Sequence, residues 1–227
     1  MPDNSRSNDT LKRCPENIIP HDDCLYLGHY CYADTISSFM RMTEPQFISH
    51  MKKEYYGVTS HVLTPAEVES WKRSYKLIQK AFEYAPNSGE ATVVFEYVLP
   101  ERKRGKKDLF CEQVGCRADV IILTKTIITI VEVKNRTMED VIKANFHNQA
   151  QKYKRKLQQF HMASQDAKIK VMLVCLQENE LSVRKQQTWF LSADGFREKV
   201  HSQSIGTQSM DDTESWIKSD WIWRTRL

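Results

Sequence analysis

The chain has 227 residues, 41% hydrophobic and 27% charged, with a formal net charge of +4. That length suits one domain with a few peripheral helices, and the composition is that of an ordinary globular protein. No apolar run approaches the ~20 residues needed to span a bilayer, and the polar start MPDNSRSNDT has no signal-peptide core. These features point to an intracellular protein, cytoplasmic or nuclear, neither secreted nor held in a membrane. The six cysteines, Cys14, Cys24, Cys31, Cys111, Cys116 and Cys175, are then expected to be reduced. Cys111 and Cys116 are spaced too loosely for a zinc knuckle and no paired histidine follows, so free thiols, some buried, are the expectation.

Residues 1–22 are polar, carry Pro15 and Pro20, and read as a flexible arm. Residues 23–62 read as an N-terminal helical extension. Within it Ile36, Phe39, Met40, Phe47, Ile48 and Met51 recur at helical spacing over 34–56, and Pro45 opens a second short helix after Thr43 as cap. Residues 63–200 read as the main domain. It begins at Thr64-Pro65-Ala66-Glu67, where Thr64 is a helix N-cap, Pro65 sits in the first turn and Glu67 completes a capping box. Val68, Trp71, Tyr75, Ile78 and Phe82 continue that helix as an apolar stripe. A strand is predicted over 91–99 with Glu96 as its lone acid, then a basic loop over 101–107. Strands over 117–123 and 127–134 follow, then a long helix over 138–163, a strand over 169–176 and a short strand over 188–191. Residues 201–227 are a tail, expected to be helical or irregular from about Asp211 and rich in tryptophan. The alternation implies an α/β domain with a mixed sheet flanked by helices.

The strands over 117–123 and 127–134 carry the chemistry. The first reads Arg117-Ala118-Asp119 and then runs apolar; the second ends Glu132-Val133-Lys134. Only Thr124 to Thr126 separate them, so they form a tight hairpin in which the start of one lies beside the end of the other. Asp119 therefore neighbours Glu132 and Lys134, which share a face while Val133 points to the opposite layer. Charges inside apolar strands are costly unless they pair or bind a metal. Two carboxylates and an ammonium at one point suit metal-assisted phosphodiester cleavage.

Asp119, then Glu132-Val133-Lys134, then a helix carrying Gln149-Ala150-Gln151-Lys152-Tyr153, resembles the PD-(D/E)xK nuclease superfamily, in its RecB-type branch with a Gln-x-x-x-Tyr motif. The resemblance spans roughly residues 65–176. With Trp71 and Phe95-Glu96-Tyr97-Val98-Leu99-Pro100 added, the set is similar to the nuclease-like segment preceding the helicase in DUF2075-type proteins. This chain departs from those in having no Gly-x-x-x-x-Gly-Lys-Ser/Thr loop, so ATP hydrolysis is not expected.

The resemblance implies a restriction-endonuclease-like core and a Mg²⁺-dependent deoxyribonuclease, with Mn²⁺ able to substitute at an all-oxygen site. Asp119 and Glu132 would be metal ligands, with the Val133 carbonyl completing the site, and Glu96 would bind directly or through water. Glu83 and Glu90 are weaker rivals for that last role. Lys134 would orient the attacking water or offset charge on the phosphate. Gln149 would help hold the site, and Tyr153 would support DNA or the lysine.

Each assignment has a plainer counterpart. Asp119 could simply pair with Arg117, Glu132 be a solvated strand-end acid, Lys134 its surface partner, and Tyr153 core packing. His147 and His161 read as solvated helix residues. Arg102, Lys103, Arg104, Lys106 and Lys107 are placed to grip phosphates. Lys152, Lys154, Arg155 and Lys156 form a second basic cluster, and the tail residues Trp216, Trp221, Trp223, Arg224 and Arg226 either stack on unpaired bases or pack on the core. DNA is the expected partner, single- or double-stranded, with a separate helicase as a second. A non-catalytic nucleic-acid-binding module is the competing expectation.

Overall fold

The computed structural model describes residues 23–27, 30–58, 62–85, 91–99, 117–179, 182–185, 187–202, 216 and 220–224. In chain order these form β1 (Asp23–Leu27), β2 (Tyr32–Thr35), α1 (Ile36–Phe39), α2 (Glu44–Val58), α3 (Pro65–Phe82), β3 (Thr92–Val98), β4 (Arg117–Leu123) and β5 (Ile127–Lys134). Then come α4 (Met138–Lys143), α5 (Phe146–Phe160), a 3-10 turn (Met162–Ser164), β6 (Lys168–Cys175), β7 (Ser182–Lys185), β8 (Thr188–Leu191), α6 (Ala193–His201) and β9 (Asp220–Arg224). The protein is α/β, with a seven-stranded sheet of order β2-β3-β4-β5-β6-β8-β7 and a separate β1-β9 pair. The sheet is mixed: β2 to β5 are antiparallel neighbours, β5-β6 and β6-β8 are parallel, and β7 returns antiparallel to β8. Among the described residues no helix is long and apolar enough to cross a membrane.

The central strands explain the two-sided burial. Along β5 every residue from Ile127 to Val133 is buried, the pattern of a strand covered on both faces. One face packs Val93, Phe95, Val120, Val131, Val133 and Met172 against Phe39, Phe47, Trp71, Ile78 and Phe196. The other packs Val94, Ile121, Ile130, Leu173 and Cys175 against Val141, Ala150, Tyr153 and Leu157. Thr124 closes the β4-β5 turn by bonding Ile127 through both its N–H and its hydroxyl (3.1 and 3.0 Å). The expected capping box of α3 is present, with Glu67 N–H donating to Thr64 Oγ1 and Thr64 N–H to Glu67 Oε2.

Several elements differ from expectation. The segment 34–56 begins as strand, because β2 joins the sheet edge beside β3 before α1 and α2 form. The helix foreseen over 138–163 is two, broken where Asn145 takes a left-handed conformation at φ 56°, and it ends at Phe160. Asparagine tolerates that region better than most residues. β1, β7 and α6 were not foreseen, and 220–224 of the tail is a strand. Cys31 and Cys175 are buried free thiols, and burial pushes both thiol pKa values up to about 12. Both therefore stay protonated and unreactive. The basic loop bearing Arg102, Lys103, Arg104, Lys106 and Lys107 lies outside the described residues, as do Cys14, Cys111, Cys116, Glu90 and the arm 1–22.

Candidate functional site

The register lines up three acids across three adjacent strands. Phe95 pairs with Val120 and Tyr97 with Ala118, so Glu96 of β3 stands across from Asp119 of β4. Val120 pairs with Val131, so Asp119 in turn stands across from Glu132 of β5. The ladder skips the first of these pairs and stops short of the second. Glu96 has φ 53°, a strained value for a non-glycine residue and one often met at functional sites. Between β4 and β5 carboxylates replace the missing ladder bonds. Asp119 N–H donates to Glu132 Oε1 at 3.2 Å, and Val133 N–H donates to Asp119 Oδ2 at 2.8 Å.

Lys134 closes this arrangement. Its Nζ lies 3.2 Å from Asp119 Oδ2 and 2.9 Å from Glu132 Oε2, and 5.5 Å from the centre of the Phe146 ring at the start of α5. Asp119 therefore pairs with Lys134, and Arg117, the partner considered for it from sequence, turns elsewhere. The Arg117 guanidinium meets Glu96 at 3.2 Å and Glu67 at 3.3 Å, over the Tyr55 ring. Tyr55 donates to Glu67 at 2.8 Å, and the Trp71 indole donates to Glu96. The result is a polar seam through the opened sheet, from α2 and α3 on one side to α5 on the other.

The seam carries more negative than positive charge. Glu67, Glu96, Asp119 and Glu132 face Arg117 and Lys134, so full ionisation would leave an excess of two negative charges, the charge one divalent cation offsets. The carboxyls register the strain. Burial pushes Glu96 up to about 8, against Arg117 and with the help of Asp119 and Glu132. Burial and the charge of Asp119 push Glu132 up to about 7, against Lys134. Burial raises Glu67 too, but bonds from Thr64 and Tyr55 and the Arg117 charge outweigh it, so its pKa lies below the ordinary value. Burial alone would lower Lys134, yet Asp119 and Glu132 hold it above the usual lysine value. Lys134 is therefore a fixed positive charge near neutral pH, not a base.

The donor set is all carboxylate oxygen, the kind that hard divalent cations take. Among the described residues no group of three or more His, Cys, Asp or Glu side chains is drawn close enough to hold a metal ion. Lys134 occupies the gap between the nearest two acids.

Gln149 and Tyr153 share one face of α5, and Gln149 donates to the Tyr153 hydroxyl. Tyr153 is fully buried in the core on that side, so its ring packs internally and only its hydroxyl takes part in a polar contact. Lys152 and Arg155 are exposed on α5, whereas Lys156 is buried and Lys154 bonds Gln187 at 3.5 Å. Both histidines expected to be solvated are buried, His147 beside Phe190 and His161 beside Trp216. Trp216 belongs to the core, 2% exposed; the side chains of Trp221, Trp223 and Arg224 lie outside the described residues. Glu83 ends α3 as an exposed cap.

Sequence reasoning missed Tyr55, Glu67 and the bridging part of Arg117. Glu67 had a complete local explanation in its capping box, which uses one carboxylate oxygen. The other oxygen reaches Arg117, fifty positions away in sequence, and no local pattern encodes that. No family model matches the chain, and neither a curated protein nor a solved structure is found similar to it.

Proposed function

We propose that this protein is a metal-dependent nuclease that hydrolyses phosphodiester bonds of DNA, on a restriction-endonuclease-like core of the PD-(D/E)xK kind. One observation carries the reading. Three acids from three adjacent strands stand in one row where the sheet opens, with a lysine held between two of them. Asp119 and Glu132, with the Val133 carbonyl and Glu96 directly or through water, would hold Mg²⁺ or Mn²⁺. Such an ion supplies charge neutralisation for the scissile phosphate and a more acidic bound water.

The chain's own groups have separable parts. Lys134, protonated and fixed by two carboxylates, orients the attacking water or offsets charge developing on the phosphate. Glu96, titrating near neutrality, suits proton transfer with water. Arg117 is a positioning residue, tying Glu96 to α2 and α3 through Glu67 and Tyr55. Gln149 stands one turn beyond Phe146 on α5 and helps hold the site through its bond to the Tyr153 hydroxyl, with Tyr153 supporting DNA or the lysine.

The test is cleavage of labelled circular and linear DNA, single- and double-stranded, in Mg²⁺, Mn²⁺ or EDTA. Metal-dependent cutting is expected, lowered about 100- to 1,000-fold by Lys134→Ala, the range for loss of one preorganised stabilising group. No cutting with either metal, while salt-sensitive DNA binding persists, would sink the reading. That outcome would favour a non-catalytic nucleic-acid-binding module, or a subunit requiring a partner such as a helicase. The bridge from Lys134 to Asp119 and Glu132 supports this second reading, because it already offsets part of the seam's charge.

A further inference from the structure

A second cationic surface lies away from the acid row, at the β6-β8-β7 edge. Its centre is Trp189 of β8. β8 pairs with β6 so that Trp189 stands beside Met172, and with β7 so that it stands across from Arg184. The Arg184 guanidinium lies 5.4 Å from the centre of the Trp189 ring. Ser192 then caps α6, which folds back over the same face of the sheet and sets Lys199 Nζ 4.1 Å from that ring. On β6, Lys168 and Lys170 alternate onto the side of Met172 and Val174, the side that α6 covers. Four cations from two strands and a helix thus share one face, with Arg184 and Lys199 against the half-buried indole and Lys170 and Lys168 farther along β6.

The arrangement is built rather than incidental. The indole face attracts and orients the two cations above it, which lowers the entropy lost when they take up a ligand. Among the described residues, Lys168, Arg184 and Lys199 have no carboxylate at ion-pair distance, unlike Lys72, Lys76, Lys80 and Lys143 on the helices. Burial and the charges of Lys168 and Lys199 hold Lys170 below the ordinary lysine value, so the cations repel one another. A polyanion would relieve that repulsion.

We propose that Trp189, Lys168, Lys170, Arg184 and Lys199 form a docking platform for the phosphate backbone of a nucleic acid, held apart from the cleavage site. The proposal deepens the nuclease reading and rests on it for the choice of polyanion. Charge complementarity favours a phosphodiester strand. Several cations at fixed spacing match a repeating anion, and contact through phosphates alone is indifferent to sequence.

The test separates this proposal from the nuclease reading by omitting metal. Full-length protein carrying Lys134→Ala is titrated in EDTA with a fluorescein-labelled 30-nucleotide DNA, single- and double-stranded, at several salt concentrations. Replacing Arg184 and Lys199 together by glutamine is expected to weaken binding about tenfold and to flatten the salt dependence by roughly 1.4 to 1.8 in the log–log slope, about 0.7 to 0.9 per lost phosphate contact. Lys168→Gln, at an exposed strand start, is a second variant with little structural risk and should flatten the slope by about half as much. Trp189 emission should change on binding, and Trp189→Phe should abolish that change. An unaltered slope in both variants would overturn the platform even if the wild-type protein cuts DNA. Stronger binding to inorganic polyphosphate or to phosphatidylserine vesicles than to DNA would also overturn it. A flattened slope in a protein that never cuts DNA would uphold the platform and leave only the nuclease reading refuted.

Discussion

The acid row of Glu96, Asp119 and Glu132, partly buried, and the knot of His161, Ser164 and Trp216, fully buried, are both polar, yet they are closed differently. In the knot, Ser164 Oγ meets His161 Nδ1 at 2.7 Å and accepts from Trp216 Nε1 at 2.9 Å, with the two rings 4.6 Å apart. Burial holds the His161 pKa down at about 4, so every member is neutral at physiological pH. The acid row disrupts its own backbone ladder, and its full ionisation would leave surplus negative charge. A neutral buried polar group costs less than a retained buried charge, which destabilises unless something offsets it. The contrast is what makes the row, and not the knot, the candidate for chemistry.

The sharpest break of that contrast would come from the knot. Trp216→Ala removes a large core side chain and leaves Ser164 with one partner fewer. A loss of about 3–5 kcal/mol is expected, read by chemical denaturation; a loss below about 1 kcal/mol would mean the ring adds little to the core.

The two clusters should also answer pH with opposite signs. Glu96 and Glu132 bind protons more tightly folded than unfolded. Their contribution is full below the unfolded carboxylate range near 4.3 and declines as pH rises toward about 7 and 8. His161 binds protons less tightly folded, so its contribution is full above the unfolded value near 6.5 and is lost as pH falls toward about 4. In EDTA, Glu132→Gln should flatten the alkaline decline in Tm, and His161→Gln should flatten the acid one. Mg²⁺ should raise the Tm of the unaltered protein more at pH 8 than at pH 5. An equal rise at both values, or one that survives Glu132→Gln, would detach the ion from the acid row.

The smallest effect concerns the break before α5. Asn145→Ala keeps a β-carbon in the left-handed region without asparagine's greater tolerance of it and should cost about 1 kcal/mol, while Asn145→Gly should cost nothing or stabilise. Equal losses from both would show that the Asn145 side chain, not its backbone, matters there.

The centre of the fold was legible because its signals are local. Continuous apolar runs, a three-residue turn and a capping box placed β3, β4, β5 and α3, and the hairpin alone brought Asp119 to Glu132 and Lys134. The acid row was legible for the same reason, since adjacent strands carry it. What stayed hidden depends on distant partners. β7 is exposed throughout and has no apolar alternation to announce it. β2 reads as part of a helix until β3 lies beside it. The Asn145 break is a single backbone choice inside an otherwise periodic run. The platform at Trp189 escaped because its cations come from separate elements and make no cluster in the sequence.

The small β1-β9 sheet bears on how the molecule would respond to mechanical load. Asp23 pairs with Arg224 and Leu27 with Asp220, so the outermost residues of both strands lie at the same end of the ladder. Tension applied between positions 23 and 224 would part the strands one rung at a time, as a zipper opens, rather than shear all rungs at once. The pair would yield at low force and leave the seven-stranded sheet to carry the load, with Trp216 as the next anchor along the chain.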